Sequence, residues 1–335
     1  MQSDKKILIV ARATTVLAFI VVVLGAYVRL SDAGLGCPDW PGCYGKMIVP
    51  FEVTHVQDLY PERPFEHGKA WKEMIHRYAA GILGLLVFMV AVLSWQRRKQ
   101  PGQPLVVSLL LVMLLIFQAL LGMWTVTLLL KPVIVMGHLL GGMTILSLLL
   151  WLTLDLGKNP QKVGLNNGHL YPWALIGLLV VIAQISLGGW TSANYAALVC
   201  PDFPRCQGVW WPDMDFQEGF VFWRGLGIDY EGGVLHGNAR TAIHVAHRIG
   251  AVLTVLTIGA VAIRAMFDSN KRAGKLGIVI LLILTTQAGL GIANVLMRLP
   301  LPLAVAHNGF AALLLLSVVT LLHQSVAPVN RRKTF

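Results

Sequence analysis

The chain has 335 residues, of which 56% are hydrophobic and only 13% charged, and its mean hydropathy is +0.67. A soluble domain carries roughly twice that share of charge, so a soluble enzyme, a disordered chain and a small disulfide-stapled fold are excluded. A formal charge of +11 would point to nucleic acid in a soluble protein; in so apolar a chain it reports orientation in a bilayer, and no nucleic-acid partner is expected.

Apolar runs of roughly 20 residues suit membrane helices, and their continuity excludes a transmembrane β-barrel. Eight spans are expected, at 9–30, 74–95, 104–127, 132–154, 171–192, 240–264, 275–297 and 301–323. Lys5 and Lys6 precede the first as they would a signal peptide. That run is too long, no small-residue cleavage site follows, and the span has an internal counterpart, so it is read as a helix. The N-terminus, 96–103, 155–170, 265–274 and the C-terminal tail share one side. With the span ends they hold 15 Lys/Arg, among them Lys5, Lys6, Arg97, Arg98, Lys99, Lys158, Lys162, Arg331, Arg332 and Lys333, against three acids, Asp4, Asp155 and Asp268. Lys/Arg excess marks the cytoplasmic side, so a bacterial inner-membrane protein with both termini cytoplasmic is expected.

The chain repeats itself. Residues 37–43 read CPDWPGC and 200–206 read CPDFPRC, at an offset of 163; the preceding stretches from Leu24 and Leu187 align at the same offset. Further on, IHR at 75–77 pairs with AHR at 246–248, QALLG at 118–122 with QAGLG at 287–291, and GHLLGG at 137–142 with AHNGFA at 306–311. Several matches in one order at nearly one offset indicate a tandem duplication. Four spans per repeat keep the repeats parallel, related by an axis along the membrane normal. The expected fold is therefore an all-α integral membrane protein of eight transmembrane helices, arranged as two pseudo-twofold-related four-helix bundles, 1–160 and 161–335, with outer loops at 31–73 and 193–239.

A Q-x-x-L-G pattern recurs at Gln118–Gly122, Gln184–Gly188 and Gln287–Gly291, with Val21–Gly25 in the same place on the first span. Its glycines suit close helix packing or leave room for a flat ligand. The four cysteines form two C-x5-C pairs, Cys37 with Cys43 and Cys200 with Cys206, in loops expected on the oxidising side. Two local disulfides follow; a structural metal site is disfavoured because no histidine is nearby, and a redox-active role for one pair stays open.

Of ten histidines, His55, His67, His236, His169 and His323 fall in loops or at a helix end and read as surface residues. His76, His138, His247 and His307 fall inside spans that all run inward from the outer face, about two turns or less from their starts, and the duplication pairs His76 with His247 and His138 with His307. Intramembrane ionisable groups are functional candidates. Two imidazoles facing each other between helices are how a bundle grips a haem iron. Arg77 and Arg248 follow two of these histidines directly and suit haem propionates or the membrane interface. Glu73 stands three residues before His76, on the same helix face, whereas His244 stands three before His247. One acidic and one non-acidic site suggest one bundle for chemistry and one for a redox cofactor; a dipole-favoured acid at a helix start is the plainer reading of Glu73.

LGAYVRLSDAGLGCPDWPGCYG, the E-x-x-H-R at Glu73–Arg77, His138, CPDFPRC, His247–Arg248 and His307 together resemble the haem A synthase family over essentially the whole chain. The resemblance implies oxidation of the C8 methyl of haem O to a formyl group through hydroxylated intermediates, for a terminal oxidase. It implies haem b, an iron cofactor, on His247 and His307 in the C-terminal bundle, and substrate haem O at His76 and His138 in the N-terminal one, near the periplasmic face. It marks Glu73 as the important acid, with Arg77 beside the substrate haem, and it matches the two cysteine pairs. The haem O-forming farnesyltransferase is the implied source of substrate; a complex with it, the electron carrier and a homo-oligomer are not specified. A bis-histidine cytochrome b carrying electrons from quinol would share the histidines without needing Glu73, and a transporter would need broken helices at mid-membrane.

Overall fold

The computed structural model describes residues 2–51, 64–100, 103–157 and 168–326, with the side chains of 2–4 left out. His55, Lys158, Lys162, Arg331, Arg332, Lys333, the Asp4 side chain and part of the first outer loop thus lie outside the described residues. Among the described residues eight helices are long and apolar enough to cross a membrane: α1 (Gln2–Leu30), α2 (His67–Gln96), α3 (Leu105–Thr127), α4 (Pro132–Leu156), α5 (Tyr171–Ala193), α6 (Gly237–Met266), α7 (Lys271–Leu296) and α8 (Leu301–Ser325). The chain is a multi-pass membrane protein. Every expected span is an uninterrupted helix, without the mid-membrane breaks a transporter site would use.

Helix starts follow local chemistry. Proline stands in the first turn of α4, α5 and α8, where its missing N–H costs nothing. The Asn270 side chain caps α7 by accepting from Arg272 N at 3.0 Å, and His236 caps α6 by accepting from Ala239 N at 3.4 Å. Four starts differ from expectation: α1 begins at Gln2 rather than 9 and α7 at Lys271 rather than 275, and two more lie on the disulfide side. Helix α2 begins at His67 rather than 74, and α6 at Gly237 rather than 240, because polar first turns continue each helix beyond its apolar stretch. His67 is therefore helical, and the first outer connection is shorter than 31–73.

Helices α1 to α4 pack in a closed ring, each on the next and α4 back on α1; α5 to α8 do the same. Between the rings α1 meets α8, α4 meets α5, and α4 meets α8. Exchanging the repeats maps these contacts onto one another. The most buried span is α8, which touches α1, α4, α5 and α7. Its Val318 and Leu321 join Leu146, Leu149 and Leu152 of α4 in the shared core. Large apolar side chains such as Leu85, Phe88, Val106, Met113 and Leu256 face outward, as on lipid-facing helices.

The duplication is also written in the backbone. Positive φ occurs at Asp32 and Tyr195, and at Tyr44 and Gln207, both pairs 163 apart; Leu129 and Leu130 match Arg298 and Leu299 at 169. Left-handed residues other than glycine are uncommon, so their recurrence reflects one inherited turn geometry. The second disulfide-end loop reaches across to the first half. Tyr230 N donates to Leu129 O at 3.1 Å, and Lys131 Nζ donates to the carbonyls of Arg224 and Gly225 at 2.5 and 2.9 Å beneath the Trp223 ring.

Candidate haem sites

Each of His76, His138, His247 and His307 faces a glycine on the neighbouring helix. A Cβ on Gly25 of α1 would lie 3.0 Å from His76 Cε1 on α2; on Gly122 of α3, 3.2 Å from His138 Cε1 on α4; on Gly188 of α5, 3.1 Å from His247 Cε1 on α6; and on Gly291 of α7, 3.1 Å from His307 Cε1 on α8. The L-G glycines are therefore imidazole cradles, one per histidine. His76 and His138 lie within electrostatic range of each other, as do His247 and His307, so each ring of four helices holds one pair. The Nδ1 atoms of His76, His138 and His307 are buried without a hydrogen-bond partner. Burial of an unpaired polar atom costs free energy, so these rings are suited to an external ligand. No cluster of three or more His, Cys, Asp or Glu fit for a bare metal ion occurs among the described residues. Paired, cradled imidazoles between helices are a donor set that would suit a haem iron.

His76 lies nine residues after the first residue of α2 and His247 ten after that of α6, against six for His138 and His307. The expected distance of two turns or less therefore holds for only one member of each pair, because α2 and α6 begin with extra polar turns.

Glu73 is not a helix-start acid. It lies well inside α2, only 5% exposed, and its carboxylate is fully engaged. Cys37 N donates to Oε2 at 2.9 Å and Arg77 donates to Oε1 at 2.5 Å. The loop approaches closely because residue 36 is glycine: a Cβ there would lie 2.6 Å from the Lys69 carbonyl carbon. At the matching place in the second half, the buried His244 bonds through Nδ1 to Ala196 O at 2.9 Å. Both repeats thus tie the start of the disulfide loop to the helix just above the histidine, one by an acid and one by an imidazole.

Arg77 and Arg248 direct their guanidinium groups into the disulfide loops. Arg77 donates to the carbonyls of Asp39, Pro41 and Gly42, and Arg248 to those of Cys200, Asp202 and Arg205. A propionate would have to share these donors; Arg248 Nε is buried and unpartnered. Cys37–Cys43 and Cys200–Cys206 are both disulfide-bonded. Inside each loop an aspartate accepts two backbone N–H groups: Asp39 from Tyr44 and Gly45, Asp202 from Gln207 and Gly208. The Gly208 N–H in particular holds the Asp202 carboxyl below its ordinary range.

Sequence reasoning missed three features. The pairing of each cradle glycine with a histidine needed the helix register. Arg29 crosses between the repeats, donating to Ser192 O at 2.6 Å and stacking over Tyr195 at 4.3 Å. His323 is not a surface residue: it is 6% exposed, bonded to Asp155 at 3.0 Å and set edge-on to Trp151. His169 pairs with Asp268 at 2.6 Å.

The sequence profile of the COX15-CtaA family, described as cytochrome oxidase assembly proteins, matches residues 9–319. The chain belongs to the COX15-CtaA family. Among its relatives is a heme A synthase of Shewanella oneidensis, 49% identical over 92% of this chain and 94% of the relative. A heme A synthase of Shouchella clausii is 28% identical over 96% of both chains, and one of Bacillus licheniformis 26% identical over 90% of both. The COX15-CtaA match covers all four cradled histidines, Glu73 and both disulfide loops.

Proposed function

We propose that the protein makes haem A by oxidising the C8 methyl of haem O to a formyl group. The observation that carries this reading is the cradled histidine pair, present once in each half of a chain whose relatives are heme A synthases. In it the N-terminal half, 1–160, takes haem O between His76 and His138, and the C-terminal half, 161–335, holds haem b between His247 and His307. A haem bound there supplies one-electron chemistry. The disulfide end faces the periplasm and both termini the cytoplasm of a bacterial inner membrane.

The assignment of substrate to the N-terminal half rests on Glu73. Its carboxylate lies about one turn from His76 and is held by Arg77 and the Cys37 N–H. A negative group so placed favours positive charge developing on a nearby carbon and can take a proton from a water molecule. The second half has His244 instead, tied to a backbone carbonyl. Arg77 keeps Glu73 oriented and, with the disulfide loop, shields the site from bulk water; Arg248 does the same for the second loop.

The test is extraction and chromatography of the haems from purified protein co-expressed with a haem O source. Haem B together with haem A or a hydroxylated haem O is expected. Haem B alone, with haem O abundant, would favour the electron-transferring cytochrome b.

A further inference from the structure

The four histidines are not held alike. Gln118 Nε2 donates to the His138 carbonyl at 2.6 Å; Gln184 Nε2 donates to the His247 carbonyl at 3.1 Å and lies 3.1 Å from Nδ1 of the same ring. Each amide fits because a glycine stands three residues after the histidine. A Cβ on Gly141 or Gly250 would displace the amide oxygen of Gln118 or Gln184 from its present place. His76 lacks both parts of this lock. Val21 stands where the repeat has Gln184, and Ala79 where it has Gly250. His307 is intermediate: Gln287 Nε2 lies 3.4 Å from Nε2 of its ring rather than from Nδ1, which has no partner, and Phe310 occupies the notch position.

We infer that Gln118 and Gln184 are positioning residues that pin the helix backbone at His138 and at His247 so that these two stay in place as iron ligands, and that His76, whose backbone has no such anchor, is the ligand that turns away to admit haem O and release product. The inference rests on the proposed assignment of His76 and His138 to the substrate. A substrate haem must leave its site, and two immobilised imidazoles would retain it. Gln184 stands behind the His247 ring itself, where a partner sets a ligand's orientation, whereas Gln118 acts through the main chain that carries His138, whose Nδ1 is unpartnered. The first half keeps that support on one side only, whereas in the second half both histidines have a glutamine within reach.

The test uses the full-length protein in detergent, loaded with haem O. Two variants are compared with wild type: Gln118→Leu, and Val21→Gln combined with Ala79→Gly, which installs the missing lock. The readouts are the rate of haem transfer from the N-terminal site to apomyoglobin and the low-spin ferric EPR signal of that haem. One net hydrogen bond corresponds to about a fivefold change. Gln118→Leu is expected to speed transfer about fivefold and the double variant to slow it about fivefold, each shifting the EPR g values. An unchanged rate and signal in the double variant, with two-histidine ligation retained, would overturn the inference. Should the double variant not accumulate, an unchanged rate and signal in Gln118→Leu decides against it. Wild-type protein that takes up no haem O, or keeps it after both His76→Ala and His138→Ala, would overturn the site assignment itself.

Discussion

Gly291 and Gly289 lie two residues apart on α7, and a methyl group added to each should act in opposite directions. A Cβ on Gly291 would stand 3.1 Å from His307 Cε1, whereas one on Gly289 would meet nothing within 4 Å. Carbon atoms pack at about 3.5–4.0 Å, so Gly291→Ala requires the imidazole to retreat by about half an ångström. Overpacking of this kind costs about 1–3 kcal/mol. Replacing a helical glycine by alanine returns at most about 1 kcal/mol, and Gly289→Ala collects that gain without the clash. The helix gain acts on folding in both variants alike, so haem affinity feels only the clash: about 1–3 kcal/mol against ligation by His307, a fall of roughly 5–150-fold. The assay is haem titration of the purified variants in detergent, followed by the low-spin Soret band, with thermal unfolding measured in parallel. Gly289→Ala should titrate like wild type and melt no earlier. Equal haem affinity in the two variants would refute the cradle reasoning, because it would mean that the ring opposite Gly291 has room to spare or does not bind the haem.

Glu73→Gln keeps the side chain's shape but removes its charge; it should leave haem content intact and lower formyl formation at least tenfold. Glu73→Ala should in addition free the Cys37 N–H and Arg77 and lower the melting temperature; haem extraction and calorimetry separate the two effects. Lys131→Met should destabilise the protein by about 1–3 kcal/mol through the carbonyls of Arg224 and Gly225 left without their donor, with haem content unchanged, as read by thermal unfolding beside pyridine haemochrome absorbance. The depressed Asp202 carboxyl, accepting from Gly208 and Gln207, supports its loop above the ordinary aspartate pKa of about 3.9. That support is lost as pH falls through the lower folded value. Amide exchange at Gln207 and Gly208 should accelerate below that pH in wild type and show no such acid step in Asp202→Asn.

Span number, the repeated motifs and the candidacy of the four histidines were legible in the sequence because each depends on local pattern. Twenty apolar residues need a bilayer whatever their neighbours, and repeated motifs at one offset survive as strings. Boundaries were less legible at α1, α2, α6 and α7, where polar turns such as His67–Glu73 carry no apolar signal yet extend the helix. The same extension moved Glu73 from a helix start into a buried ion pair.

What only the tertiary structure decided is which small residue meets which ring. Gly25, Gly122, Gly188 and Gly291 read equally well as packing glycines until helix register set each against a histidine on the next helix. Arg77 and Arg248 likewise read as propionate ligands or interface anchors. Their direction depended on where the disulfide loops folded back and offered carbonyls. Hydropathy specifies that a helix crosses the membrane and nothing about its rotation, because lipid is as apolar as the neighbouring helix; rotation is set by close packing and buried hydrogen bonds between segments far apart in the chain.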